Sequence, residues 1–243
     1  MKKHHSKSGV VDSVVTHIIL IIVCLIFFFP VLWLVMASFS KNGSIYDFDG
    51  FFPKGFSLSG YKTLFTDTAM YDYPNWLKNT FIIAIFSSLI GTVLVILTAY
   101  TISRFQFKSK KLLMKSTLVL SMFPSFMGMQ ALHLLMINFN MINRLWSLIL
   151  IYSAGAPMGY LVQKGYFDTI SNAIYEAARI DGASNAQIFK QITLPLSKPI
   201  IVYTALTQFA WPWSDFILPN LLLKNKDLSL IHISEPTRQE AIS

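Results

Sequence analysis

Charge is scarce in this chain. Asp, Glu, Lys and Arg together make up 13% of its 243 residues, about half of the roughly 25% typical of a soluble domain. A water-dissolved domain of this size is thereby excluded. Cysteine is nearly absent. The one residue, Cys24, sits inside an apolar run, which excludes a disulfide framework and a thiolate metal cluster and leaves lipid-facing or core packing as its ordinary use. No Gly-x-x-x-x-Gly-Lys-Ser/Thr occurs, so the chain has no phosphate-cradling loop of its own, and any ATP hydrolysis tied to it belongs to a partner. A catalytic constellation is missing too. His133 lies in an apolar stretch without a Ser, Asp or metal-type neighbour and reads as a packing residue. Asp168, close to Lys164, reads as one half of a helix-end ion pair.

What is present is apolar length. Hydrophobic residues make up 53% of the chain, its mean hydropathy is positive, and the apolar residues gather into runs. The first run, 14–39, follows a basic lead with Lys2, Lys3, His4, His5 and Lys7. It outlasts the ~7–15 apolar residues of a signal peptide and suffices for about 30 Å of bilayer hydrocarbon. It is expected to be an uncleaved first span, kinked at Pro30. Residues 40–76 are polar, aromatic and turn-rich, and read as an extracytoplasmic loop. Further spans are expected at 79–103, at 112–137 (broken by Pro124 and Gly128), at 145–161 (containing Gly155 and Pro157) and at 200–218.

The net charge of +8 does not point to nucleic acid, because the cations lie between spans rather than on one amphipathic face. The lead, the 104–115 loop and the 164–198 segment are basic and alternate with loops that are not. That alternation places all three in the cytoplasm.

The segment 175–199 interrupts the apolar pattern and reads as two short helices joined by a tight turn. Asn172 is the expected N-cap of the first, which runs through Glu176 to Asp181, with Ile174, Ala177, Ala178 and Asp181 on one face. Gly182 stands where a helix end favours a left-handed residue without a Cβ. Ser184 and Gln187 have the spacing of a capping box. Ile188, Phe189 and Ile192 form one face of the second helix, opposite Lys190 and Gln191, and Pro195 and Pro199 are expected to stop it.

These residues resemble the EAA loop in the permease subunits of bacterial ATP-driven (ABC) importers. Glu176-Ala177-Ala178, Asp181-Gly182-Ala183, Phe189, Ile192 and Leu194-Pro195 stand at the spacing of that motif. The alternative is an amphipathic hairpin that only lies on the membrane surface. Most of the chain up to Lys224 is similar to the maltose/maltodextrin-type carbohydrate permeases, through Met122-Phe-Pro-Ser-Phe126, 162–170 and Asp215-Phe-Ile-Leu-Pro219.

The resemblance implies an all-α integral membrane protein of the type I importer permease fold. Such a fold normally has six membrane helices, of which about five are counted here with the last missing. It implies a non-enzymatic subunit in a bacterial inner membrane, with its N-terminus in the cytoplasm. Its partners would be a second permease, a pair of ATPase subunits that hold the ATP and Mg²⁺, an extracytoplasmic sugar-binding protein and the bilayer. No cofactor, metal or nucleic acid is expected on the chain itself. The loop residues just named would couple it to the ATPase.

Trp211, Trp213 and Asp215 could line the sugar path, since aromatic faces stack on sugar rings and a carboxylate accepts hydroxyl hydrogen bonds. The competing reading is an interfacial aromatic belt with a solvated aspartate. The chain departs from the family after residue 227. Residues 228–243 hold no membrane-length run, and their first eleven resemble a translated sequencing adapter. The permease domain is therefore expected to be 1–227, with 228–243 a non-native and loosely held tail, the alternative being a native but degenerate one. Rival readings are a membrane enzyme, which would need converging catalytic groups, and a secondary transporter, which would need intramembrane ion-coupling charges. Neither set of residues is in evidence.

Overall fold

The computed structural model describes residues 7–41, 48–49, 52–53, 55–68, 72–155 and 157–231. The chain divides into two units, Met1–Asp72 and Tyr73–Ser243.

In the first unit, helix α1 (Lys7–Ser38) is one uninterrupted helix through Pro30, and its segment Ser13–Ser38 is long and apolar enough to span a membrane. The chain then folds back on the helix end. Strands β1 (Phe48–Asp49) and β2 (Phe52–Pro53) pair antiparallel, and Ser40 bridges Phe56. The amide of Ser57 donates to the carbonyl of Phe39 at 2.8 Å. Helix α2 (Ser59–Thr66) is tied to α1 by the Tyr61 hydroxyl, which donates to Ser38 Oγ at 2.6 Å.

The second unit is built on α3 (Tyr73–Arg104), which at 1.5 Å per residue is about 48 Å long. The helix begins six residues ahead of the expected 79. Pro74 fits the first turn, where a missing N–H costs nothing. Around it pack α6 (Leu145–Ala154), α7 (Pro157–Thr169) and α11 (Lys198–Ala210). The buried stripe of α3 contains Ala84, Ser87, Ser88, Gly91, Thr92 and Ala99, whereas Leu89, Ile90, Val93, Leu94 and Leu97 are exposed. Ile83, Val95, Ile96 and Ile102 are buried along that stripe too, but its share of small and hydroxyl-bearing residues departs from the soluble pattern. Lipid is as apolar as leucine, so burying leucine gains little, and close packing of small or hydroxyl-bearing residues holds the helices together instead. The Ser88 hydroxyl donates to the Ala205 carbonyl at 2.8 Å. Thr204 Oγ1 donates to the fully buried Gln163 Oε1 at 3.0 Å.

The expected third span is two helices, α4 (Lys110–Ser121) and α5 (Ser125–Asn138), bent by 105°. The break comes at 122–124, ahead of Pro124, which holds the N-cap position of α5. Gly128 lies inside α5 and breaks nothing. The fourth span continues past 161 to Thr169, because Gln163 and Phe167 on α7 are fully buried. The expected fifth span is not one helix. α11 is 13 residues long, about 20 Å, and is followed by a 3-10 turn at Trp211–Trp213 and a short α12 (Ile217–Leu222). Pro212 is the cause on the sequence side, since its ring has no N–H to continue the ladder. Among the described residues three helices are long and apolar enough to cross a membrane, and the bent pair adds a fourth if taken as one span.

The expectation of a loosely held tail needs correction for its first residues. Leu230 is fully buried in a cluster with Ile83, Leu148 and Leu222. Asn79 Nδ2 donates to the carbonyls of Asp227 at 2.9 Å and Ser229 at 3.2 Å. The amide of Ile231 donates to Thr80 Oγ1 at 3.2 Å. Polar side chains on the first turns of α3 satisfy this backbone, which the apolar content of 228–243 could not reveal. Residues 232–243, including Ile233, lie outside the described residues.

Candidate functional site

The helical hairpin between α7 and α11 takes its shape from local chemistry. Helix α8 (Asn172–Ile180) has Ser171, not Asn172, at its N-cap position, and the Ser171 side chain makes no capping bond. At the other end Gly182 has φ +82°. There the Gly182 amide donates to the Arg179 carbonyl at 3.0 Å and the Ala183 amide to the Ala178 carbonyl at 2.9 Å. These are the paired bonds of a Schellman ending, which needs a left-handed residue after the helix. Ser184 starts α9 (Asn185–Ile188) as a capping box. Its Oγ accepts from the Gln187 amide at 3.3 Å, while Gln187 Oε1 accepts from the Ser184 amide at 2.8 Å.

Beyond α9 the helix widens into a π turn at Phe189–Thr193, then tightens into α10 (Leu194–Leu196). Pro195 does not stop the helix at once. The wider turn absorbs a ring that would otherwise clash with a carbonyl one turn back. Pro199 is no stop either, for it occupies the first turn of α11.

The hairpin has two unlike faces. Tyr175, Ile188 and Thr193 are buried, and Ala178, Ala183, Phe189, Ile192 and Leu194 are partly buried. Glu176, Ala177, Asp181, Gly182 and Pro195 are exposed, as is Ile180 at 86%. The ten residues singled out in the sequence are therefore divided between an inner face and an open one. The inner face seats on the last turns of α3 and α7, where Tyr100 and Phe167 are buried. The ring centroids of Tyr100 and Phe189 are 4.7 Å apart. Asp168 is paired with Lys164, as expected, and also accepts from Ser103 Oγ at 2.6 Å.

Sequence reasoning missed Arg104, which it counted only as a loop cation. Its Nη1 donates to Asn172 Oδ1 at 2.7 Å, its Nη2 donates to the carbonyls of Phe167 and Ile170, and its guanidinium lies 3.9 Å over the Tyr175 ring. The only sequence signal for this was a cation in the last turn of a helix.

At the other candidate site, Trp211 and Asp215 line one open cavity of about 350 Å³, together with Ser214, Phe216 and Ile217. Trp213 lies apart from it, edge-on to Phe81 at 4.8 Å. Asp215 is not a freely solvated aspartate. Its Oδ1 accepts from the amides of Ile217 and Leu218 at 3.1 and 3.3 Å, and its Oδ2 accepts from the Tyr152 hydroxyl at 3.0 Å. Asp215→Ala should therefore lower the unfolding temperature in detergent, by roughly 1 kcal/mol for the lost bonds to the first-turn amides of α12 plus the cost of an unpaired Tyr152 hydroxyl. An unchanged melting curve would mean that these bonds contribute nothing. His133 is half-buried with Nδ1 unpartnered. Among the described residues no group of three His, Cys, Asp or Glu could hold a metal.

Residues 91–234 match the family described as the inner membrane component of binding-protein-dependent transport systems. The galactooligosaccharides transport system permease protein GanQ of Bacillus subtilis is 37% identical over 87% of this chain and 75% of its own length. The maltodextrin transport system permease proteins MalD of Streptococcus pneumoniae and MdxG of B. subtilis are 32% and 31% identical, covering 91% and 97% of this chain and 78% and 86% of theirs. A crystal structure of a bacterial ABC transporter involved in the import of the acidic polysaccharide alginate superposes with a TM-score of 0.77 at 20% identity, over 93% of this chain and 79% of that one. The fold is thus that of a type I importer permease. The chain belongs to the inner-membrane components of binding-protein-dependent transport systems, as a permease subunit and not an enzyme.

Proposed function

We propose that the chain is one of two permeases of an importer for maltodextrin or a related oligosaccharide, and that its hairpin docks on a separate ATPase subunit. The observation that carries this reading is the split hairpin. Its inner face is fastened to α3, while Glu176, Ala177, Asp181 and Ile180 are left open to a partner. Alanine permits close approach, and a carboxylate offers acceptors to a docked surface. The sugars named for GanQ, MalD and MdxG support a carbohydrate cargo. The further partners are a pair of ATPase subunits holding ATP and Mg²⁺, and an extracytoplasmic sugar-binding protein.

Displacement of the hairpin would pass into α11 without a loop to absorb it. The Ser197 amide donates to the Thr193 carbonyl, and the Ile201 amide to that of Ser197, both at 3.0 Å. Trp211 and Asp215, at the far end of that helix, are our candidates for the sugar path, with Trp213 packed behind them. In this reading residues 1–227 form the permease domain, and 228–231 pack against it.

Orientation supplies the test. Tags at Ser6, Lys110 and Asn185 should react only from the cytoplasmic side, and tags at Gly50 and Asn140 only from outside. An Asn185 tag reached only from outside would overturn the docking assignment.

A further inference from the structure

We propose that Arg104 is the positioning residue that makes α3 and the coupling hairpin move as one body. This inference rests on the coupling reading above. An arginine in the last turn of a membrane helix ordinarily needs no more explanation than the helix dipole and the cytoplasmic excess of cations. Arg104 does more than that. Through one planar fork it donates to the carbonyls of Phe167, in the last turn of α7, and of Ile170, just beyond it, holds the side chain of Asn172 in the first turn of α8, and stacks on Tyr175 one turn further along. Its donors thus span the joint at Ile170 and Ser171, between α7 and the hairpin, where the chain is in neither helix.

The neighbouring residues of the same helix end reinforce the grip. Ser103 Oγ binds Asp168, the Tyr100 ring lies on Phe189, and the Tyr100 hydroxyl reaches the Asn185 carbonyl at 3.5 Å. The last turn of α3 therefore touches both arms of the hairpin. α11 is attached to the hairpin through the chain itself, whereas α3, packed on α6, α7 and α11, is attached through Arg104. A push on the hairpin would then reach two neighbouring helices together, by covalent continuity and by a hydrogen-bonded fork. Lysine cannot replace that fork, because an ammonium is a point charge without the planar donor array.

The test uses the assembled importer with Cys24→Ser and nitroxide labels at two exposed positions, Leu89 on α3 and Gln191 on the hairpin. Distances are read before and after addition of Mg²⁺ and a non-hydrolysable ATP analogue. In the wild type the Leu89–Gln191 distance should hold, while the distance from Gln191 to a label on the second permease shifts. In Arg104→Ala and Arg104→Lys, with the ATPase still copurifying, the Leu89–Gln191 distance should shift by about 2 Å or more, the scale of helix displacements in switching proteins.

An unmoved Leu89–Gln191 distance in Arg104→Lys would overturn the proposal, since charge alone would then suffice. Loss of the ATPase from both Arg104 variants would overturn it in favour of a purely structural role. A Gln191 label that never moves relative to the second permease in the wild type would instead overturn the coupling reading itself.

Discussion

Gly182→Pro should abolish sugar-stimulated ATP hydrolysis by the assembled importer while leaving membrane insertion intact. Proline is confined to φ near −65°, and position 182 stands at +82°. Proline would also remove the amide that donates to the Arg179 carbonyl at 3.0 Å. The turn would have to re-form, at a cost on the order of 3 kcal/mol, and Glu176 and Asp181, which both precede it, would lose their placement relative to the second arm of the hairpin. No heavy atom lies within 4 Å of a Cβ built at this glycine. Alanine there should consequently cost only the backbone term, about 1–2 kcal/mol, and asparagine less. Glu176→Lys should abolish stimulation by another route, by inverting the charge presented to the ATPase without disturbing the turn. Copurification of the ATPase and stimulated hydrolysis are the measurements. Wild-type transport by both variants would reduce the hairpin to a surface ornament of the membrane domain.

Gly91→Leu should be the most damaging substitution in the membrane interior. A Cβ at this position would lie 3.0 Å from Gln208 Nε2 and 3.3 Å from the Ser153 carbonyl oxygen. The first neighbour ends a flexible side chain and can yield, but an alanine Cβ would already meet both atoms, so Gly91→Ala should cost some stability, though less than leucine. The second is backbone on α6 and cannot. A leucine would force α3 away from α6 and α11 together, and overpacking of this kind costs about 1–3 kcal/mol even where neighbours relax. It would also separate the small-residue contacts that hold membrane helices together. Thermal unfolding in detergent and resistance to added protease should both fall sharply for the leucine variant. Equal stability of leucine and glycine proteins would show that the α3–α6 contact is loose.

Much of the hairpin was legible in the sequence because its devices are local. Gly182 and the Ser184–Gln187 box act within a few residues of themselves, and no distant neighbour is needed to make them work. The first, second and fourth spans were legible for a similar reason, since length and composition suffice to commit a segment to hydrocarbon, whereas the bend of the third was not. The N-cap at Ser171 and the π turn at Phe189–Thr193 were not. The first differs by one residue from an equally good capping type, and the second depends on how the chain accommodates Pro195 once Thr193 is buried.

The sequence by itself determined that this chain lives in a bilayer, roughly where its apolar segments lie, and that a polar helix-turn-helix interrupts them. Tertiary structure alone decided what the interior polar residues do. Arg104 reads as a loop cation until Asn172, 68 residues away, is brought to 2.7 Å. Asp215 reads as solvated until it accepts from the first-turn amides of α12 and meets Tyr152, 63 residues away. The inner face of α3 reads as weakly apolar until Gly91, Ser88 and Thr92 are seen to let neighbouring helices approach. The reason is common to all three. In lipid, burial of apolar surface does not by itself choose helix partners, so the choice falls to close contact and polar pairing between distant residues, and a one-dimensional pattern carries neither.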